Sequence, residues 1–395
     1  LPIGFVAAVL LSAGVVQILR ESTEPVPIIE QGPTAIFIDR PIRLQWNYER
    51  PSSAFEIQSS KYATFSQDVV PEGHWIGNFV EIERKVNGVR YWRVRAVNSD
   101  YEKISGWSHP VKITHYETTL ARIKKTAYVN VYMSDSFNEA FFKFAAKGTK
   151  GPPRGYDVAI IDEIVKRLPA RLGIDKPLTH RPIHVPWDKL LSTPKNGDAD
   201  TIISTITMTD AREVRYSIKF SKPYYCTTHS VIYRPPISTQ TLREMIANKR
   251  VGVQSGTTSE DLLRQFIKED ESIKLVSERQ ATGMGADILS NKIDYAITDT
   301  DFALEEKRKH GAKLEVRKLI FEGDFPRDTK LERVQKYALA VRAEDDELIQ
   351  AINTIIDEMI RTKTLGALLQ GAVKEFHTDP ANAPVIDITK DPSEC

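Results

Sequence analysis

The sequence of 395 residues exceeds one ordinary domain, and at 41% hydrophobic and 27% charged it has the composition of a globular protein with two or three cores. With 54 Lys+Arg against 53 Asp+Glu the net charge is +1, which argues against a dedicated nucleic-acid binder. Two cysteines, Cys226 and Cys395, cannot form a disulfide framework; the second is the last residue, so no bridge between them is expected.

Residues 3–19 are almost wholly apolar and are followed by Arg20, Glu21 and the Pro-containing Glu24-Pro25-Val26-Pro27. The run sits at the lower limit of a membrane span and above a typical signal-peptide core. Residues 1–20 are therefore expected to be an export signal or a single-span anchor, which places the rest of the chain outside the cytoplasm, in the periplasm or at the cell surface. No cysteine follows Leu11-Ser12-Ala13-Gly14, so a lipoprotein anchor is not expected.

Residues 28–118 read as all-β. Apolar and polar residues alternate through Ile42, Leu44 and Trp46, through Phe55 and Ile57, and through Tyr91 to Val97, with turn residues between, such as Asn87-Gly88. Several short strands in one such segment predict a sandwich. Arg93 and Arg95 share a strand face and can stack on Trp107, while Trp46, Trp92 and Trp107 are expected to serve packing. Leu44-Gln45-Trp46, Tyr91 to Ala96 and Ser105-Gly106-Trp107-Ser108 with Pro110 resemble a fibronectin type III module, which implies an immunoglobulin-like sandwich. No chemistry is assigned to it.

A polar stretch at residues 115–125 leads into residues 127–376, where apolar strand-like runs alternate with amphipathic helices, the pattern of α/β architecture. Val158, Ile161, Ile164, Val165 and Leu168 make a helical stripe, Thr241 and Glu244 form a capping box, and residues 351–369 read as a long helical region. Residues 378–395, with three prolines at 380, 384 and 392, are expected to be an extended tail.

Three strand-to-loop junctions carry candidate chemistry, because ligands of open α/β sheets sit at the carboxyl ends of strands. The first runs from Asp200 through Ser204, Thr205 and Thr207 to Arg212, with Thr209 or Asp210 capping a short helix. A guanidinium there can grip a carboxylate bidentately, unless it is a surface arginine paired with Asp210 or Glu213. The second, Val251 to Asp261, is a strand, a Gly-containing turn and a helix start whose free amides suit an anion, with Thr258 a possible N-cap instead. At the third, Ile293 to Thr300, Asp299 is placed to accept from an ammonium group or to cap the helix after it. One fixed cation, one anion hole, one fixed carboxylate and two hydroxyls complement a zwitterion.

Together these motifs resemble the type 3 periplasmic solute-binding proteins of amino-acid ABC transporters, over residues 127 to about 376. The matching stretches are Gly155-Tyr156-Asp157 with the helix after it, Asp200 to Arg212 with Phe220 to Tyr225, Gly252 to Thr258, Asp294 to Asp299, and Tyr337 to Arg342. The resemblance implies a two-lobed type II periplasmic-binding-protein fold, with lobe 1 at 127–225 and 340–376, lobe 2 at 233–316, and crossings near 225–233 and 316–340. It further implies that Arg212 holds a ligand carboxylate with Thr207 and the Thr258 backbone, and that Asp299 with Thr205 holds the amino group. Phe137 stands at the position of an aromatic platform, Ser134 at that of a side-chain selector, and Gln254 within reach of the side chain. Ala159 and Lys222 depart from the family pattern, no proline precedes Phe141 and Phe142, and Ser134 in place of a carboxylate argues against a cationic ligand.

The expected function is a monomeric, exported protein that captures an amino acid or similar small zwitterion and passes it to an ABC transporter permease or a membrane sensor. No metal, cofactor or nucleic acid is expected; His180 and His184 straddle Pro182, which spoils a helical metal pair. Two rivals are a periplasmic dehydratase-like enzyme, for which no general acid stands out, and a ligand-free adhesion or scaffold protein.

Overall fold

The computed structural model describes residues 25–30, 34–38, 42–82, 88–116, 118–134, 141–143, 152–236, 240–278, 283–320, 322–327, 329 and 332–376. The expected signal or anchor at residues 3–19, the tail from 378 and Phe137 lie outside them. Among the described residues no helix is long and apolar enough to cross a membrane. The chain divides into two compact units, Leu1–Glu117 and Thr118–Cys395.

The described residues of the first unit form only strands and loops. One sheet orders β1 (Ile28–Ile29), β3 (Ile42–Asn47) and β6 (Phe79–Ile82); the other orders β2 (Thr34–Ile38), β8 (Val111–Tyr116), β7 (Gly88–Val97), β4 (Ala54–Ser60) and β5 (Val70–Trp75). The alternation in the sequence sorts the faces. Ile42, Leu44 and Trp46 of one sheet and Phe55, Ile57, Trp92 and Val94 of the other share one core. Arg93 and Arg95, between those inward residues of β7, lay their guanidinium carbons 4.3 and 4.4 Å from the centroid of the Trp107 ring.

In the second unit, lobe 1 is built on a sheet ordered β10 (Thr179–His184), β9 (Tyr128–Met133), β11 (Thr201–Ile202), β19 (Ala340–Arg342) and β12 (Ile218–Phe220). The apolar stripe of α2 (Tyr156–Leu172) packs in one core with α9 (Asp346–Arg361) and α10 (Thr364–Phe376). The expected helical region at 351–369 is thus two helices, broken where Lys363 takes a left-handed φ of 56°. The polar lead-in at 115–125 also departs from expectation. The helix α1 (Thr119–Thr126) begins within it, capped by Thr118, and its buried Leu120 and Ile123 span too few turns to show a period.

Helix α1 also carries Arg122, buried against the equally buried Asp200 at the head of β11, whose carboxylate accepts the Asn130 amide at 2.6 Å. Arg122→Leu strands that carboxylate and is expected to cost about 3–5 kcal/mol, or roughly 10 °C in the melting temperature of this unit. A calorimetric loss below about 1 kcal/mol would mean the pair contributes no more than a solvated one.

Lobe 2 is a sheet ordered β15 (Lys274–Glu278), β14 (Arg250–Gln254), β16 (Tyr295–Asp299), β13 (Tyr225–Tyr233) and β17 (Glu315–Lys318). Successive residues face opposite ways, so Val231 and Ile297 pack under α5 (Leu242–Ile246) and α6 (Thr258–Glu269). Their neighbours Ile232 and Ala296 pack under α7 (Met284–Leu289) and α8 (Thr300–His310). The Thr241 and Glu244 capping box opens α5.

Two strands carry the chain between lobes. After β12 it enters β13, whose first residues pair with β18 (Val334–Tyr337) and whose later ones pair with β16 and β17, and it returns through β18 to β19. Cys226 of β13 corrects the expectation of unlinked thiols, because it is disulfide-bonded.

Candidate functional site

The three junctions meet in one cleft within the second unit. After β11 the Thr209 hydroxyl accepts the Arg212 amide at 3.2 Å and caps α4 (Asp210–Tyr216), which sets Arg212 in the first turn. Its side chain turns inward and is 7% exposed. Nη1 donates to the Thr207 carbonyl at 2.6 Å and Nη2 to the Gly256 carbonyl at 3.1 Å. Among the described residues no carboxylate forms an ion pair with it; the surface pairing with Asp210 or Glu213 does not occur, and Glu213 instead accepts the Phe220 amide at 2.8 Å. Burial draws the guanidinium pKa down from its ordinary value, opposed by Asp261 and Asp299.

Opposite lies the turn from β14 into α6. Gly256 takes φ 74°, and Thr257, not Thr258, is the N-cap, accepting the Glu260 amide at 3.4 Å. Thr258 and Ser259 are then the first helical residues, whose amides have no partner within the helix by geometry and suit an anion.

Asp299 stands at the N-cap position of α8 yet makes no side-chain capping bond. The Tyr337 hydroxyl donates to its Oδ2 at 2.6 Å, and His229 Nδ1 lies 3.2 Å from Oδ1. Strand register decides this, since β13 pairs His229 with Asp299 and Tyr225 with Tyr337. Burial, then Asp299, pushes the Tyr337 hydroxyl well above its ordinary pKa, so it stays a donor. His229 is wholly buried, and its Nδ1 is also 3.2 Å from the Ser259 hydroxyl. The cleft holds about 500 Å³ of empty space, part of it open to solvent.

Residues 117–374 match the model of the bacterial extracellular solute-binding proteins, family 3. The chain belongs to that family. As a solute-binding protein of this class it works outside the cytoplasm. It is 26% identical over 216 residues to the histidine-binding periplasmic protein of Escherichia coli K12, covering 55% of this chain and 77% of that one. Its fold is like that of AbpA, an amino acid ABC transporter substrate-binding protein from Streptococcus pneumoniae bound to L-arginine. There the TM-score is 0.51 and the identity 22%, over 64% of this chain and 96% of the other. The ancestral amino acid-binding protein AncCDT-1, a precursor of cyclohexadienyl dehydratase, is similar too, at a TM-score of 0.50 and 19% identity over 64% and 98% of the two chains.

In this solute-binding protein Arg212, Asp299, Thr205, Thr207, Thr258 and Gln254 all line the cleft. Ser134 is not among the lining residues. It is buried, with its amide donating to the Ser204 hydroxyl at 2.8 Å and its carbonyl accepting from that hydroxyl at 2.9 Å. Sequence reasoning missed Trp187 and Phe302, which border the cleft, Tyr337, which donates to Asp299, and His229, which lies beside it. Trp187 stands at the N-terminus of the short α3 (Trp187–Leu190), too brief to show a period.

Behind the cleft wall, Asp157 of α2 is fully buried. Burial pushes its carboxyl up to about 7, against hydrogen bonds from Tyr224 and the Thr205 backbone. Such a raised acid holds its proton in the folded chain while the unfolded chain has released it. Its contribution to stability is therefore full below about pH 4 and is lost as pH rises to about 7. Asp157→Asn removes the effect, so relative to wild type it is expected to gain on the order of 2–3 kcal/mol between pH 5 and 8. Urea unfolding at the two pH values checks this, and parallel profiles would refute it. Asp301, pushed up to about 6 by burial while accepting from Tyr225, contributes alike to both proteins.

Proposed function

We propose that this protein captures a free α-amino acid with an uncharged side chain and passes it to an ABC transporter permease or a membrane sensor. One observation carries the reading. The Arg212 guanidinium is buried in the cleft with carbonyl partners and no ion-paired carboxylate among the described residues. A cation in that position is unfavourable until an anion arrives. The ligand carboxylate meets Arg212, Thr207 and the amides at the start of α6, and the ammonium group meets Asp299 and Thr205. Trp187, Phe302 and Gln254 then border the side chain, and of the described lining residues only Asp299 is a carboxylate, which favours a neutral side chain. The binding of histidine and arginine by relatives supports an amino acid and leaves the side chain to this chain's own residues.

A dehydratase-like activity needs a proton donor facing the ligand. Asp157 is a weakened acid, its carboxyl pushed up to about 7 by burial, but it is fully buried and outside the lining, so binding is favoured over catalysis. In the same reading residues 28–118 form a fibronectin type III-like spacer, and residues 1–20 export or anchor the chain.

Native mass spectrometry of freshly purified protein, followed by a thermal-shift screen of the proteinogenic amino acids, tests this. A complex of one amino acid per chain is expected, with a stabilisation of about 2.7 kcal/mol at a hundredfold excess over Kd. A flat screen would favour the scaffold alternative, and conversion of prephenate would favour the enzyme.

A further inference from the structure

Thr205 lines the cleft with φ 48°, a left-handed conformation that a β-branched residue rarely holds. Such strain persists only where the surroundings enforce it, and it gathers at functional sites. The enforcing group is in view. The Thr205 amide donates to Asp157 Oδ2 at 3.0 Å and to the Tyr224 hydroxyl oxygen at 3.2 Å, while the Thr205 hydroxyl donates to its neighbour's carbonyl, Ser204 O, at 2.7 Å.

Asp157 is itself held from several sides. Its amide donates to the Phe141 carbonyl at 2.9 Å. That approach needs Gly155, whose φ is 118° and where a Cβ would come within 2.6 Å of the Phe141 oxygen. Tyr156 donates to the Tyr224 carbonyl at 3.1 Å, which fixes the ring whose hydroxyl meets Asp157. No chemical role in the cleft is open to this carboxyl, which is 0% exposed with Oδ1 unpartnered among the described residues.

We propose that Asp157 is a positioning residue, a buried pin that holds Thr205 in its left-handed conformation and so shapes the cleft wall that receives the ligand's ammonium group. The last step rests on the cleft being the ligand site; the pin itself does not. Because only an acceptor is required, an amide serves nearly as well as a carboxylate.

The test uses the whole chain. By hydrogen exchange, the Thr205 amide is expected to be strongly protected in wild type and Asp157→Asn, and to exchange at least about tenfold faster in Asp157→Ser, too short to reach it. Free exchange in wild type overturns the pin without any variant. Thr205→Gly separates strain from packing: glycine relieves the left-handed strain only while the pin acts. Its effect on melting temperature should be more favourable in the Asp157 background than in Asp157→Ser by about 2–4 °C. Equal effects refute the proposal. Titration of Trp fluorescence with each proteinogenic amino acid completes the set. For any that wild type binds, Asp157→Ser is expected to weaken affinity about tenfold and Asp157→Asn to recover most of the loss. Equal affinity in wild type and Asp157→Ser overturns the role in the cleft. If wild type binds none, the reading of the cleft fails, while exchange and melting still decide the pin.

Discussion

Arg212→Ala is expected to weaken amino-acid binding by about two to three orders of magnitude, because a carboxylate buried without its guanidinium loses about 3–5 kcal/mol. The ligand-free protein should respond in the opposite sense. Arg212 is 7% exposed and, among the described residues, bonds to carbonyls and forms no ion pair, so its removal relieves a desolvated charge. Arg212→Met should therefore melt at or above the wild-type temperature while failing to bind. Arg212→Lys keeps the charge but loses the planar fork, and an intermediate affinity is expected. Calorimetric titration with differential scanning fluorimetry on the same samples reads both effects. Wild-type affinity in the alanine variant removes Arg212 from the site. A parallel fall in apo stability would instead make it a structural residue.

Asp299→Asn should cost about tenfold to a hundredfold in affinity for an α-amino acid, the difference between a charged and a neutral acceptor for an ammonium group. The substitution is isosteric and leaves an acceptor for the Tyr337 hydroxyl, now 2.6 Å from Oδ2, so gross unfolding is not expected. The decisive comparison is between an amino acid and its α-hydroxy analogue, which keeps the carboxylate and side chain and lacks the positive charge. The analogue's affinity should be nearly the same for wild type and variant. An equal loss for both compounds would mean Asp299 shapes the cleft without meeting the amino group.

The two sets of predictions draw on features of different legibility. The helix caps and junctions were open to reading from sequence because each depends on a few adjacent residues. Thr209 three residues before Arg212, Thr241 before Glu244 and the glycine turn before α6 are such cases. The α2 stripe and the alternation in β3 and β7 were equally open, since burial of one face imposes a period. Short elements were not. Helix α1 has two apolar anchors and α3 only four residues, so neither shows a period, and Arg122 and Trp187 on them went unread. The alternative that weighed Thr258 as the cap of α6 misses by one position, since Thr257 is the N-cap, and two adjacent threonines make that invisible to composition.

Sequence alone settled that a guanidinium, a helix start and a carboxylate stand at three strand ends, because each is a local consequence of where a strand stops. Only the tertiary structure decided what those groups do with one another. Asp299 could have capped its own helix, and it turns instead to Tyr337 and His229, which strand pairing brings from 38 and 70 residues away. Thr205 is likewise held at a positive φ by a carboxyl 48 positions earlier. Register between distant strands and the packing behind a wall are long-range outcomes of folding, and no window of neighbouring residues contains them.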